Sequence, residues 1–156
     1  MYTVRRAAQR DIPAIMRLLV QVNMVHHNGR PDLFKGPTTK YTEEDLGRIL
    51  QSDDLPVFVC VDESDRVLGH GFCIMEHYGG QLMTERDTLY IDDICVNEAA
   101  RGQHVGEALY RHIVDYARAR GCYNITLNVW TLNPGAMKFY EKMGLTPYRV
   151  GMEQIL

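Results

Sequence analysis

The feature that most constrains the fold is the segment 88–130, where a strand pattern, a glycine-containing turn, a helical pattern and a second strand pattern follow one another. Apolar residues recur at helical spacing over 105–117, and Gly121 is a typical helix stop. Apolar and polar residues then alternate over 125–129, as in a strand. Two strands joined by a helix normally form a parallel pair with a right-handed crossover. We therefore expect such a pair inside a mixed α and β domain.

The rest of the chain predicts a mostly antiparallel sheet around that unit, in the order βααβββαβαβ. The other expected elements are a strand over 2–7, a helix from Asp11 to Met24, a loop from Val25 to Lys40, a short helix from Thr42 to Gln51, a hairpin of strands over 57–61 and 67–77, a helix from Asn133 to Gly144, and a closing strand or strand pair over 146–156. A chain of 156 residues, 46% of them hydrophobic, can bury one core of ordinary domain size. We expect a single α/β (α+β) domain over residues 1–156, with helices flanking the sheet.

Charge and hydropathy exclude several kinds of partner. Lys and Arg number 17 against 20 Asp and Glu, a net charge of −3, which argues against nucleic acid held through its phosphates. The longest wholly apolar run, Val57–Val61, is far shorter than the roughly 20 residues that a membrane-spanning helix needs. The basic N-terminus lacks the apolar stretch of a secretory signal, so a cytoplasmic location is expected.

The cysteine and histidine residues do not predict a metal site. Cys60, Cys73, Cys95 and Cys122 lie far apart in apolar or β-prone runs and form no close CxxC pair. The six His are scattered without metal-ligand spacing, so a zinc site would need ligands from distant parts of the chain. We expect reduced core thiols and no metal.

A candidate anion site lies at the turn 101–106, between the strand that ends at Val96 and the following helix. A helix N-terminus presents unpaired backbone N–H groups and the positive end of the helix dipole, and both suit a phosphate. The turn fits neither GxGxxG nor GxxxxGK[ST], so it does not indicate a dinucleotide or a nucleoside triphosphate. Glycines at such turns also serve geometry alone, and that alternative stays open.

A second candidate region is the helix that begins at Asn133 and Pro134. Asn133 and Tyr140 are separated by nearly two helical turns and therefore lie along one stripe. A phenol on that stripe can reach a ligand held at the turn. The alternative is that Asn133 only caps the helix, while Phe139 and Tyr140 are core aromatics.

Together the two regions resemble the GNAT superfamily of acyl-CoA N-acyltransferases. The family pattern is a strand followed by [Q/R]-x-x-G-x-[G/A] at a helix start, then a strand and a helix of the form N-x-x-A-x-x-F-Y-x-x-x-G-F. The corresponding residues here are Arg101-Gly102-Gln103-His104-Val105-Gly106 and the run Asn133–Leu145, with Ala136, Phe139, Tyr140 and Gly144 in place. The resemblance covers nearly the whole chain. The departure that matters is His104, which replaces the first motif glycine.

The resemblance implies a central sheet whose parallel strands splay apart, with acetyl-CoA in the cleft between them and no metal. The implied cofactor-binding residues are the backbone of Ile94, Cys95 and Val96 for the pantetheine arm, then Arg101, Gly102, Gln103, His104, Val105, Gly106 and Glu107 around the pyrophosphate, and finally Asn133 and Tyr140. His104 must then either point away from the phosphate or contact it. Tyr140 is implied as the proton donor to the departing thiolate.

A protonated amine is not a nucleophile, so a base or a water chain is also needed. Simple strand alternation places Tyr90, Asp92, Ile94 and Val96 on one face and Asp93 and Cys95 on the other. The family's strand carboxylates share the face of the residue at Val96, which implies Asp92 as the catalytic base and leaves Asp93 a structural role. The alternatives are a water chain, and an Asp92 that is only bonded to nearby backbone.

The acceptor pocket is implied in the segments 24–41 and 75–88, and acidic residues outnumber basic ones over 24–56, which mildly favours a cationic amine. The candidate substrate-binding residues are His26, His27, Phe34 and Tyr90. The implied reaction is direct transfer of an acetyl group, within a ternary complex, to a primary amine of a small molecule or a protein. The alternative function is a non-catalytic acyl-CoA-binding or sensing module of the same fold. A homodimer is common in the family.

Overall fold

Five strands form one sheet, and their order in space is their order along the chain. The computed structural model describes residues 1–156. Its strands are β1 (Thr3–Arg6), β2 (Val57–Val61), β3 (Val67–Tyr78), β4 (Arg86–Val96) and β5 (Asn124–Leu127). The pairs from β1 to β4 are antiparallel, whereas β4 and β5 are parallel. This arrangement confirms the mostly antiparallel sheet with one parallel pair.

Four α-helices cover the two faces of the sheet. They are α1 (Ile12–Gly29), α2 (Glu43–Ile49), α3 (Val105–Ala119) and α4 (Pro134–Lys142), with short 3-10 turns at Gln9–Asp11 and Glu98–Ala100. The helices α1 and α2 share one apolar core with β2, while α3 shares another with β2, β3 and β4. None of the helices is long and apolar enough to cross a membrane.

The helix α3 lies unusually close to the sheet. Its buried residues Val105, Leu109, Ile113 and Ala117 recur every four positions, so they form one stripe directed at the sheet. Beneath them β3 carries two glycines. A Cβ atom at Gly69 would lie 2.8 Å from the Cys95 carbonyl oxygen, and one at Gly71 would lie 2.8 Å from Ile113 Cδ1. The close packing therefore depends on the missing side chains.

The first helix extends beyond the Met24 end that the sequence predicted. It continues to Gly29, and the Arg30 N–H closes it by donating to the His26 carbonyl oxygen at 2.8 Å. No glycine or proline occurs between Met24 and Gly29, so the helix has no reason to stop at Met24. The prediction of a loop beginning at Val25 was wrong.

The closing strand predicted over 146–156 is also absent. These residues form no strand or helix, and none of them takes part in a backbone–backbone hydrogen bond. The adjacent edge strand β5 is only four residues long, and no other strand pairs with its outer edge. The segment therefore leaves the free edge of β5 unpaired, and without backbone hydrogen bonds to a strand it is not part of the sheet.

A β-bulge interrupts the alternation of side chains along β4. Phe72 pairs with Asp93, whereas its successor Cys73 pairs with Ile91, so Asp92 is an extra residue opposite the β3 strand. The extra residue reverses the facing of every side chain on one side of it relative to simple alternation. This bulge changes the predicted site, as described below.

Candidate active site

A wedge-shaped opening separates the two parallel strands. The strands β4 and β5 are paired only from Thr88–Asn124 to Ile91–Leu127. The strand β4 then continues to Val96 with no strand beside it on that side. The backbone of Ile94, Cys95 and Val96 therefore borders an open cleft, where a ligand with amide groups can pair with it.

The turn at the N-terminus of α3 presents a row of free donors. The backbone N–H groups of Gly102–Glu107 donate no hydrogen bond within the protein. The 3-10 turn at Glu98–Ala100 and the positive φ of 75° at Gly102 bring the chain round into the helix. Several adjacent N–H groups at a helix start form a site for an anion such as a pyrophosphate.

His104 occupies the left-handed conformation that the family glycine would adopt. Its φ is 63°, and only one other non-glycine residue, Asp65, has a positive φ. The imidazole is exposed and lies with Nδ1 3.3 Å from Glu107 Oε2. The contact of the imidazole with Glu107 leaves the backbone N–H of His104 free.

The other side chains of the turn bind neighbouring protein groups. Gln103 accepts a hydrogen bond from the Tyr2 hydroxyl at 2.6 Å, and Arg101 forms a long ion pair of 3.8 Å with Glu98. Hydrogen bonds from Arg111, helped by His104, hold the pKa of Glu107 below its usual value. The side chains of the turn thus bind other parts of the protein, and only its backbone N–H groups are free to bind a ligand.

The start of α4 matches its predicted cap. The Asn133 side-chain oxygen accepts from the Ala136 N–H at 3.1 Å, and Pro134 occupies the first turn. The amide nitrogen of Asn133 makes no hydrogen bond within the protein. Asn133 is therefore a helix cap that keeps one donor for a ligand.

Tyr140 is packed against the α3 core, but its hydroxyl makes no hydrogen bond within the protein. Its ring meets the Phe139 ring edge to face at 5.1 Å. Burial raises the pKa of Tyr140, and the negative charge of Asp93 adds to this effect. The phenol is therefore neutral at ordinary pH and retains a proton to donate.

The bulge corrects the face that we assigned to Asp92. Ile94 and Val96 pack toward α3, whereas Asp92 lies 2.6 Å from Lys40 Nζ on the side of α1 and α2. Asp92 therefore does not share a face with Ile94 and Val96 as simple alternation predicted. Because the bulge interrupts the pleat, the neighbour Asp93 faces the same side, where it meets His70.

Asp93 and His70 form a pair that the sequence did not reveal. His70 is fully buried, its Nε2 lies 2.7 Å from Asp93 Oδ2, and its Nδ1 has no partner. The Asp93 charge also acts on the pKa of Tyr140 and, in the opposite sense to burial, on that of His26. Asp93 is therefore electrostatically coupled to both of these side chains. A buried histidine on the neighbouring strand, 23 residues earlier in the chain, carries no sequence signal of this pairing.

The predicted acceptor residues only partly come together. His26 and Phe34 form an aromatic cluster with Trp130, with ring centroids 5.0 Å apart for His26–Phe34 and 5.1 Å for Phe34–Trp130. His27 is not part of this cluster; its Nδ1 forms a hydrogen bond of 2.7 Å with the Phe34 carbonyl oxygen. Tyr90 accepts a hydrogen bond from Asn128 across the strand pair at 3.2 Å. Trp130 was missed, although its place just after the second strand of the parallel pair indicated it.

The four cysteines are free thiols, and three of them are buried. Burial raises the pKa of Cys95 to about 12, and its thiol donates to the Leu18 carbonyl oxygen at 3.5 Å. Cys95 can therefore contribute its backbone to the cleft, but its side chain stays protonated in the core.

Curated relatives match parts of this chain. Glucosamine 6-phosphate N-acetyltransferase 1 of Oryza sativa is 38% identical over 63 residues, which cover 40% of this chain and 36% of that protein. Acetyltransferase Atu2258 of Agrobacterium fabrum is 31% identical over 101 residues, which cover 65% of this chain and 66% of that protein. The chain thus spans between about a third and two thirds of the length of these two relatives.

The solved structures and the family model extend over more of the chain. The crystallised tetramutant of the BH1408 protein from Bacillus halodurans has a TM-score of 0.94 and 28% identity, and the match covers 99% of each chain. The model of the acetyltransferase (GNAT) family matches residues 23–145, which include the turn, the open strand edge and Tyr140. This match confirms the resemblance that the two motifs indicated. The chain belongs to the acetyltransferase (GNAT) family.

Proposed function

We propose that this protein is an N-acetyltransferase that moves an acetyl group from acetyl-CoA directly to a primary amine of a small molecule or a protein. One observation carries the proposal. The row of free N–H groups at Gly102–Glu107 meets both the end of β4 and the helix that carries the unbonded phenol of Tyr140, since a Cβ at Gly106 would lie 3.5 Å from Val96 Cγ2 and from Phe139 Cζ. A phosphate-bearing thioester needs these two features from its enzyme, an anion site and a proton donor for its sulfur.

The residues around the wedge fit acetyl-CoA, which supplies an activated acetyl group. The backbone of Gly102–Glu107 would hold the pyrophosphate, and the exposed edge of Ile94–Val96 would pair with the amides of the pantetheine arm. The free amide nitrogen of Asn133 is a further donor. Because the braced side chains of the turn leave these groups free, the fit requires no rearrangement of the protein.

Tyr140 is the proposed general acid. Transfer forms a bond from the amine nitrogen to the acetyl carbon and breaks the bond from that carbon to sulfur. The departing thiolate takes its proton from the Tyr140 hydroxyl, and the phenolate left behind is reprotonated by water before the next turnover. The raised pKa of Tyr140 keeps the phenol protonated until that transfer.

The amine proton goes to a carboxylate of the bulge. Asp92 remains the predicted base, but its Oδ2 is held by Lys40. Asp93 is the better candidate, since its charge reaches both Tyr140 and His26 and its side chain is backed by His70. Replacing Asp93 by Asn should lower turnover most steeply at low pH, while Asp92→Asn should mainly weaken amine binding. The opposite outcome would restore Asp92 as the base.

The acceptor enters from the side of the aromatic cluster His26, Phe34 and Trp130. These rings and the two bulge carboxylates suit an amine that carries a positive charge before it reacts. Relatives named as glucosamine 6-phosphate and streptothricin acetyltransferases make amino sugars and amine-bearing antibiotics the first acceptors to test. The free cysteines are compatible with a reducing compartment, which supports a cytoplasmic location as part of the proposal.

The test combines binding and turnover. Calorimetry should show acetyl-CoA binding without any amine, and a screen of amines should then find one that releases free thiol. Absence of acetyl-CoA binding by the unmodified protein would refute the proposal. Tight binding with no thiol release from amino sugars, antibiotics, polyamines or peptides would instead favour the sensing module.

A further inference from the structure

His70 contains the one buried side-chain polar atom of this protein that has no hydrogen-bond partner. The residue lies in the middle of the sheet, paired with Val59 on β2 and with Cys95 on β4, and its side chain is fully buried. The atom without a partner is its Nδ1. Such an atom lowers the stability of the folded state, so packing alone does not explain a histidine at this position.

The other ring nitrogen of His70 holds the proposed base. Cys95 lies opposite His70, and Asp93 precedes Cys95 by two residues, so Asp93 is the diagonal neighbour of His70 on the same face. His70 Nε2 lies 2.7 Å from Asp93 Oδ2, and the Asp93 side chain makes no other hydrogen bond within the protein. That side chain is 19% exposed. His70 therefore orients the carboxylate through one oxygen and leaves Oδ1 free.

The His70 ring is itself held by neighbouring rings. Phe72 meets it edge to face, with ring centroids 5.0 Å apart. Phe72 is in turn stacked on Tyr41, with ring centroids 5.6 Å apart. A ring that is packed in this way and lies in a central strand keeps one orientation, so the position of its Nε2 is fixed.

The unpartnered Nδ1 indicates where the His70 proton lies. With an ionised Asp93, the proton is on Nε2 and is donated to Oδ2, while Nδ1 holds only a lone pair. In the opposite assignment a protonated Asp93 donates to Nε2, which leaves a buried Nδ1–H without an acceptor. Buried N–H groups without an acceptor are rarer in proteins than carbonyl groups with a free lone pair. The geometry therefore favours an ionised Asp93, which can accept a proton.

We propose that His70 is a positioning residue for the acetyl transfer proposed above, and that it holds Asp93 by Oδ2 so that Oδ1 accepts the proton of the amine. As the bond from nitrogen to the acetyl carbon forms and the bond from that carbon to sulfur breaks, the amine proton moves to Oδ1 and then to water. The His70 proton stays on Nε2 throughout. A fixed donor on one oxygen keeps the other in place, and small displacements of a reacting group lower the rate.

Kinetics of two His70 variants test this role. The assay uses the amine that the unmodified protein acetylates fastest among amino sugars, antibiotics, polyamines and peptides. His70→Met fills the space of the ring without a donor, so kcat should fall about 10–100-fold while KM for the amine changes less than about threefold. His70→Gln supplies an amide donor and should restore most of the loss. Val59→Ala, at the fully buried position beside His70, is the matched control and should lower the melting temperature without lowering kcat more than about threefold.

A double-mutant cycle tests whether His70 acts through Asp93. In a protein that already carries Asp93→Asn, adding His70→Met should change kcat by less than about threefold, because the carboxylate to be positioned is gone. An equal loss in both backgrounds would overturn the inference. So would equal losses in His70→Met and His70→Gln, or a His70→Met variant within about threefold of the unmodified rate.

Nitrogen NMR of the imidazole tests the pair without turnover. The spectrum should show the His70 proton on Nε2 and none on Nδ1, with the signals assigned by their loss in His70→Gln. A proton on Nδ1 would make Asp93 the donor and would overturn the inference, while the proposed acetyl transfer would still stand. A protein that binds acetyl-CoA but acetylates none of these amines would refute the transfer itself, and the role of His70 with it.

Discussion

The helices α3 and α4 pack on the same core but differ in how deeply their side chains are buried. This difference distinguishes the helix that stabilises the fold from the helix that carries the proposed catalytic residue. Five residues of α3 are buried, including Leu109 and Ile113, whereas α4 has no buried residue. The strands β2, β3 and β4 lie under α3, while the α4 side chains Phe139 and Tyr140 are only partly buried against the same core. The helix with the looser packing carries Tyr140. A side chain that must meet a ligand cannot also be sealed in the core.

The largest expected effect is a loss of activity, caused by a substitution on α4 that leaves the fold intact. Tyr140→Phe removes one hydroxyl that makes no hydrogen bond within the protein, so the melting temperature and acetyl-CoA affinity should change little. Loss of a general acid should lower the rate of amine-dependent thiol release by about 10²–10⁴-fold. A variant within about threefold of the unmodified rate would return Tyr140 to a role in core packing alone.

Substitution of a buried residue on α3 should instead lower the free energy of unfolding. Leu109→Ala leaves a cavity at a fully buried position and should cost about 2–5 kcal/mol of the free energy of unfolding in urea. Met143→Ala, at a half-buried position near the end of α4, should cost clearly less. Equal losses would mean that both helices are equally part of the scaffold.

The junction between the two helices should be sensitive to charge. A Cβ at Gly106 would lie 3.5 Å from Phe139 Cζ and from Val96 Cγ2, so Gly106→Ala fits at ordinary contact distance. Gly106→Glu adds a negative charge beside the free N–H row and should weaken acetyl-CoA binding at least tenfold, about 1.4 kcal/mol, in calorimetry. If the Ala variant loses as much, the cause is steric and no anion site is indicated.

A smaller effect is expected from substituting Asn133, the cap of α4. Asn133→Ala removes the side-chain acceptor of the Ala136 N–H and should cost about 1 kcal/mol of unfolding free energy. Its amide nitrogen is also a proposed ligand donor, so acetyl-CoA affinity should fall too. Asn133→Asp retains the cap without that donor, and comparing the two variants by thermal melts and calorimetry separates the two roles.

The smallest effect is expected at the cap of α3. His104→Gly relieves a left-handed φ of 63° but adds freedom to the unfolded chain, so stability should shift by less than about 1 kcal/mol. The backbone N–H remains, so acetyl-CoA affinity should be retained or improved. A large loss of affinity between pH 6 and 8 would show that the imidazole itself binds the phosphate.

The sequence predicted the parts of the fold that depend on local pattern. The parallel unit around α3, the caps at Thr42 and Asn133, and the family followed from periodicity and motifs. It failed where a contact between distant residues decides the outcome. The bulge at Asp92 depends on the register with β3, and the burial of His70 depends on both neighbouring strands. Neither is visible in the order of residues along one strand.

The two glycines of β3 set the dimensions of the cleft. They allow α3 to pack directly on the sheet. The packing of α3 in turn fixes the distance between the edge of β4 and the free N–H groups of 102–107 at the helix N-terminus. A methyl group at Gly71 would clash with Ile113 and push α3 away from the sheet. The distance from the free N–H groups of 102–107 to Tyr140 would then change. In the proposed complex, the spacing between α3 and the sheet therefore sets how long a thioester ligand must be to reach from the free N–H groups of 102–107 to Tyr140.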